Sequence, residues 1–167
     1  MSKRAKAAIA ASTSAVALAV TFLIQPWEGR ELVAYRDLVG RWTLCDGDTE
    51  DVKPGQIATP AECEKRTWER VVKFYAPKVA ACVATWPDAP MSWQATAISL
   101  AYNIGPQAVC NSTAARRAHA RDWRGSCEAF TWFNRAGGQV VRGLKLRREF
   151  GDDERIGELE LCLEGLR

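Results

Sequence analysis

At 167 residues the chain has the length of one ordinary domain and no room for two complete cores. A composition of 47% hydrophobic and 26% charged residues, with seven Trp, excludes a wholly disordered, collagen-like or polytopic membrane protein. The formal net charge of +3 is too small to point to nucleic acid. It is also local: Lys3, Arg4 and Lys6 supply it, and residues 25–167 carry 20 basic and 20 acidic side chains.

Behind those three cations runs an uncharged stretch, AAIAASTSAVALAVTFLI, from Ala7 to Ile24. As a helix it spans about 27 Å, close to the roughly 30 Å hydrocarbon core of a bilayer. Basic residues ahead of it place the N-terminus inside and the body outside the cytoplasm. Seven Ala, with Ser12, Thr13, Ser14 and Thr21, make the insertion weak. Four fates are open to such a segment. It can be a cleaved signal peptide, since Ala17-Leu18-Ala19 fits the small-residue cleavage rule. It can also be a permanent anchor, a buried Ala-rich helix, or an uncleaved export segment that later leaves the bilayer. The expected division is a membrane segment over residues 1–24 and a folded body over 25–167.

Six cysteines, Cys45, Cys63, Cys82, Cys110, Cys127 and Cys162, all follow the apolar run, and no pair is closer than 17 residues. With His119 as the one histidine, this pattern argues against structural zinc and for disulfides made in an oxidising compartment. Spacing alone does not choose among the pairings.

Residues 25–36 read as a continued helix with a kink or new first turn at Pro26. DLVGRWTLCDGDT, from Asp37 to Thr49, reads as a small hairpin or two. Thr59-Pro60-Ala61-Glu62 is a capping box opening a helix that Pro77 should break or kink before Cys82. Ser92 is the expected cap of SWQATAISLAYNIG, with Gly105 as terminator. Shorter helices are expected over 112–121, 123–134 and 145–164. The fold class is α+β: mainly helical, with one small early β-hairpin region, preceded by an N-terminal hydrophobic helix. Residues 116–148 carry nine Lys/Arg against two acids, and 149–167 seven acids against two Arg. Two solvated faces, or a surface for an anionic polymer, both fit that pattern.

Catalysis has to come from the groups present. The chain has no GxSxG and no Gly-rich phosphate loop. Two carboxylates remain. Glu28 lies beside Trp27, with Leu32 and Val33 further along the expected helix; Asp37 falls where that helix gives way to the hairpin. An apolar setting favours a protonated acid and a polar turn an ionised one, the division of labour that glycoside hydrolysis needs.

Glu-x8-Asp-x5-Thr, over Glu28, Asp37 and Thr43, resembles the catalytic triad of phage-type lysozymes, glycoside hydrolase family 24. The phrase from Trp27 to Thr43, A-Y-N-I-G at 101–105, N-S-T at 111–113 and W-F-N-R-A-G-G with R-R-E across 132–149 are also similar to that family. The resemblance implies a lysozyme-like fold and hydrolysis of the β-1,4 bond between N-acetylmuramic acid and N-acetylglucosamine in peptidoglycan. It makes Glu28 the general acid, with Asp37 and Thr43 activating water and inverting the anomeric carbon. It also puts Arg147 or Arg148 near the acid and makes Asn134, Arg135, Gly137 and Gly138 a sugar-binding loop, with no metal or organic cofactor. The disulfides it implies are Cys45–Cys63, Cys110–Cys127 and, as the remaining pair, Cys82–Cys162. Cys45-Asp46-Gly47-Asp48-Thr49 departs from the usual G-x-G-x-T or C-x-G-H-T, and the extra acids are expected to alter the charge of the cleft. Asn111-Ser112-Thr113 reads as a helix cap rather than a glycosylation site.

With its weak N-terminal segment, the chain further resembles signal-anchor-release endolysins. That implies export to the host inner membrane, facing the periplasm and inactive while tethered through residues 7–24. Release then yields a soluble periplasmic enzyme, monomeric when active. A secreted lysozyme with a cleaved signal, a peptidoglycan-binding protein without activity, a membrane-permeabilising protein and a transglycosylase are the alternatives.

Overall fold

The computed structural model describes residues 2–167. Helix α1, Lys3–Ala11, starts at Ser2, whose side chain accepts from the Ala5 N–H, and stops at Ser12 in extended backbone. Ser14 caps a second helix, α2, Ala15–Leu18, which runs on as a π-helical stretch, Ala19–Ile24. The single hydrophobic helix expected over 7–24 is therefore two helices joined at residues 12–14. The physical reason lies in the hydroxyls. Ser12 Oγ donates back to the Ala8 carbonyl and Ser14 Oγ accepts from the Ala17 N–H, offering the backbone an alternative to a continuous ladder. No helix among the described residues is long and apolar enough to cross a membrane.

The two helices bury their apolar side in the protein. Ala5, Ala8, Leu18, Ala19, Val20, Leu23 and Ile24 share one core cluster with Val71, Ala95, Ile98, Ile156 and Leu161. Each fully buried Leu or Ile there stabilises the docked segment by about 1.5–3 kcal/mol.

The helix expected from the sequence to continue through 25–36 does not do so. Pro26 lacks an N–H for the ladder, and the chain turns before strand β1, Glu31–Arg36. Leu32 and Ala34 turn inward while Glu31, Val33 and Tyr35 face out, a period of two. Strand β2, Trp42–Cys45, pairs antiparallel with it, matching Tyr35 with Thr43 and Arg36 with Trp42; the register is irregular between Glu31 and Tyr35. A small core of Ala34, Leu44, Cys45, Ala58 and Cys63 underlies this hairpin.

Helix α3, Pro60–Arg70, opens with the reciprocal Thr59–Glu62 capping box. Pro77 does not interrupt it: a π-helical stretch, Val71–Tyr75, leads straight into α4, Ala76–Cys82, with Pro77 in the first turn. The widened turn just ahead accommodates the proline ring and its missing N–H. A 3-10 turn, Trp86–Asp88, precedes α5, Met91–Ile104, the central helix, which begins after Pro90. Ser92 is not its cap; it is buried and its Oγ donates to the Cys162 carbonyl at 3.1 Å. Gly105, at φ +89°, ends the helix.

Three short helices follow: α6, Pro106–Cys110; α7, Thr113–His119, capped by Ser112; and α8, Trp123–Phe130, capped by Asp122. A second hairpin, β3 Arg135–Ala136 with β4 Gln139–Val140, leads into α9, Arg142–Arg148. The helix expected over 145–164 is interrupted. A loop holding Gly151 at φ +71° separates α9 from α10, Glu158–Glu164, and a Cβ on Gly151 would collide with the Arg155 carbonyl. Trp93 anchors the main core, meeting Trp86 and Trp123 edge-on and Phe130 at a tilt, with its indole N–H on Ser126 Oγ at 2.8 Å.

The disulfides are Cys45–Cys63, Cys82–Cys110 and Cys127–Cys162. The pairs Cys110–Cys127 and Cys82–Cys162, implied by resemblance, do not form. Packing decides this: α4 lies against α6 and α8 against α10, bringing the linked Cα atoms to 5.7 and 5.9 Å.

Candidate active site

Glu28 stands at the foot of the N-terminal segment, its backbone N–H donating to the Ile24 carbonyl at 3.1 Å. Its surroundings are not the apolar ones that the sequence suggests. Arg147 Nη1 donates to Glu28 Oε1 at 2.6 Å across 119 residues of chain, while Oε2 has no hydrogen-bond partner among the described residues. Arg147 itself is buried on α9, its Nε 3.5 Å from the Glu158 carboxylate.

Glu158 is the hub of a buried network. Its Oε1 accepts from Arg148 Nη1 at 2.6 Å and from Ser99 Oγ at 2.8 Å, and Arg148 also donates to Asn103 Oδ1. Of the two candidate arginines, Arg147 therefore meets the acid, while Arg148 holds Glu158 and the central helix together. Arg147 Nε and Nη2 and Glu158 Oε2 are buried without a hydrogen-bond partner among the described residues.

Asp37 sits at the end of β1, where the hairpin turns. Its Oδ1 accepts from the Val39 N–H at 3.0 Å and the Arg41 N–H at 2.8 Å, and Oδ2 has no hydrogen-bond partner among the described residues. Thr43 is buried on β2, its Oγ1 donating to the Arg41 carbonyl at 3.2 Å. Its cross-strand partner Tyr35 lines, with Glu28, Gly29, Glu31 and Gly47, an open recess of about 530 Å3. The hairpin and the foot of the N-terminal segment thus face one another across that recess.

The loop residues Asn134, Arg135, Gly137 and Gly138 do not line this recess. They form the second hairpin, where Arg135 Nη1 donates to the Gly138 carbonyl at 3.0 Å and the Asn134 carbonyl accepts from the Val141 N–H at 2.9 Å. Both glycines take positive φ, +57° and +79°, at the turn.

The two acids expected to charge the cleft do not do so. Asp46 and Asp48 are buried, and each is matched by arginine. Arg30 grips Asp46 with Nε on Oδ1 and Nη2 on Oδ2, both at 2.8 Å. Asp48 is paired with Arg66 and Arg70. Burial pushes the Asp48 carboxyl up, but the Glu50 N–H and the two guanidinium groups outweigh it and hold it below its ordinary value. Tyr102 and Asn103, from the A-Y-N-I-G motif, join the site by different routes. Asn103 holds Arg148, and Tyr102 OH donates to the Asp46 carbonyl at 2.7 Å. Burial, then the charge of Glu28, pushes the Tyr102 phenol above its ordinary range.

The phage lysozyme family model matches residues 25–150. The SAR-endolysin of Enterobacteria phage P21 is 31% identical over 170 residues, covering 98% of this chain and 97% of that protein. The SAR-endolysin of Escherichia phage 933W is 36% identical over 140 residues, 81% of this chain and 77% of its own. Among solved structures, an endolysin from Escherichia coli O157:H7 phage FAHEc1 superposes with a TM-score of 0.71 at 27% identity, over 92% of each chain. The active form of the P1 phage endolysin Lyz has the same fold, with a TM-score of 0.74 over 97% of this chain and 92% of that one, at 24% identity. With the family matched over most of its length and a relative above 30% identity along nearly all of it, the chain belongs to the phage lysozyme family and is a glycoside hydrolase, a muramidase.

Proposed function

We propose that this protein is a phage endolysin exported on residues 1–24, tethered and inactive in the host inner membrane, and then released to cut peptidoglycan as a 25–167 catalytic body with residues 2–24 docked on it. One observation carries this reading. Of residues 7–24, which would span the bilayer, Ala8, Leu18, Ala19, Val20, Leu23 and Ile24 are buried in the protein core, and the segment leads directly to Glu28. While they span a membrane, Glu28 cannot occupy its place beside Arg147. The names of the relatives support the same sequence of events.

In the proposed mechanism Glu28 donates a proton from Oε2, the oxygen that Arg147 leaves free, to the departing glycosidic oxygen. Asp37 takes a proton from water at Oδ2, its other oxygen being held by two backbone N–H groups. Thr43 orients that water, and the anomeric carbon inverts; a separation of about 6.5–9.5 Å between the carboxyl groups leaves room for water.

The test is intact mass and N-terminal sequence of protein recovered from membrane and soluble fractions, before and after depolarising the cells. An uncut chain moving to the soluble fraction, with activity appearing only then, is the expected result. A chain beginning at Val20 in both fractions would mean an ordinary secreted lysozyme and would end the tethering idea.

A further inference from the structure

We propose that Arg30 and Asp46 form a partly buried clamp that sets the position of the Asp37–Thr43 hairpin relative to Glu28, making them positioning residues for hydrolysis. The clamp rests on the catalytic roles assigned above to Glu28, Asp37 and Thr43.

Arg30 follows Glu28 by two residues, and Asp46 follows Thr43 by three. Their contact therefore joins the chain leaving the acid to the chain leaving the water-activating pair. The contact has two points, Nε on Oδ1 and Nη2 on Oδ2, so it fixes the relative orientation of the two groups as well as their distance. Asp46 is also held from two other elements. Its Oδ2 accepts from Thr67 Oγ1 of α3 at 2.6 Å, and its carbonyl accepts from Tyr102 of α5 at 2.7 Å. The carboxylate is fully buried, and the guanidinium 30% exposed.

The hairpin's own ladder pairs Glu31 with Cys45 beside this contact but does not carry a regular register from there to Tyr35. Its register is irregular between Glu31 and Tyr35, the stretch that separates Glu28 from Asp37. The Arg30–Asp46 pair reinforces the Glu31–Cys45 end of the ladder, next to that irregular stretch, through side chains. Stability alone gives little reason for such a pair, because a desolvated ion pair is often no more stabilising than apolar residues of similar volume. Geometry gives a stronger one: misplacement of a catalytic group by about 1 Å costs on the order of 10²-fold in rate.

The test measures kcat and KM of the full chain on soluble glycan fragments of peptidoglycan, with melting temperature recorded for each variant. Asp46→Asn and Arg30→Lys, which break or weaken the two-point contact, should lower kcat at least tenfold while KM stays within twofold. The double variant Arg30→Met/Asp46→Leu removes both charges together. It should melt close to the parent yet keep the low kcat. A folded double variant with the parent's kcat, or Arg30→Lys with unchanged kcat, overturns the clamp. A loss residing wholly in KM also overturns it. Glu28→Gln in the parent separates the two ideas: if activity survives that change, the catalytic assignment fails, whatever the clamp variants do.

Discussion

Arg4 in the first turn of α1 grips Glu160 in the first turn of α10, with Nε on Oε1 at 2.8 Å and Nη2 on Oε2 at 2.7 Å. The same guanidinium donates to the carbonyls of Phe150 and Asp152. Ser2 adds its backbone N–H on Glu164 and its hydroxyl on Glu160. Two residues before Glu160 stands Glu158, which meets Arg147 and Arg148. A cation that marks membrane orientation in the sequence thus ties the N-terminal segment to the helix supporting the active site.

Arg4→Ala should loosen residues 2–24 while leaving α5 protected, as read by hydrogen exchange. The contact is also pH-dependent. Burial pushes the Glu160 carboxyl up, but Arg4, Ser2 and the Gly157 N–H outweigh it and hold it below the ordinary value of 4.5. A folded-state value below the unfolded one means that the stabilisation is present above about pH 4.5 and is lost as pH falls through the folded value. Protection of residues 2–24 should therefore decline on acidification in the parent. In Arg4→Ala it should be low at both ends of the range; equal pH dependence in the two proteins would refute the latch.

Arg147 is the partner that orients Glu28. Arg147→Met leaves Glu28 unpaired and takes one cation from Glu158, and should destabilise the fold by about 1–3 kcal/mol in urea unfolding. Arg147→Lys keeps the charge but loses the planar fork. It should unfold near the parent's midpoint while kcat falls, because a flexible ammonium no longer fixes the carboxylate. A variant losing stability and kcat in strict proportion would reduce Arg147 to a structural role.

The proposed acid and its two proposed helpers are readable as a spaced motif, because Glu28, Asp37 and Thr43 fall within sixteen residues. Glu28's setting is not, since Arg147 is 119 residues away and only the tertiary fold brings it near. Glu31–Arg36 misled for a local reason. ELVAYR satisfies a helical and a two-residue period equally well over so short a run, and the pairing of Tyr35 with Thr43 decided it. The capping box at Thr59 and the Ser112 cap were readable because a cap is made by residues three apart. Cysteine pairing depends on which helices lie side by side, and spacing carries no such information.

Cys127–Cys162 closes 35 residues and fastens α10, with Glu158, to α8. Loop-closure entropy assigns such a link about 3–4 kcal/mol. Cys127→Ala/Cys162→Ala should lower stability by that order and, by freeing α10, weaken docking of α1 as well. Non-reducing peptide mapping of the parent should return Cys45–Cys63, Cys82–Cys110 and Cys127–Cys162; a Cys110–Cys127 peptide would contradict the packing of α4 against α6.

Ala15 experiences two different environments if the N-terminal segment moves from membrane to protein. Near the middle of a spanning helix, an aspartate costs about 2.5–3.5 kcal/mol. In the docked state Ala15 is the first residue of α2, directly after the Ser14 cap and only partly buried. An acid there meets the helix N-terminus favourably, by about 0.3–1 kcal/mol. Ala15→Asp should therefore shift the balance toward release by on the order of 10²-fold, since about 1.4 kcal/mol is a factor of ten. It should put uncut, active enzyme in the soluble fraction before depolarisation and bring lysis forward. Thr13→Leu works in the opposite direction. Thr13 is exposed in the docked state, so the change leaves the body alone while strengthening insertion, and lysis should be delayed. If lysis timing and fractionation are the same for both variants as for the parent, membrane affinity does not control release.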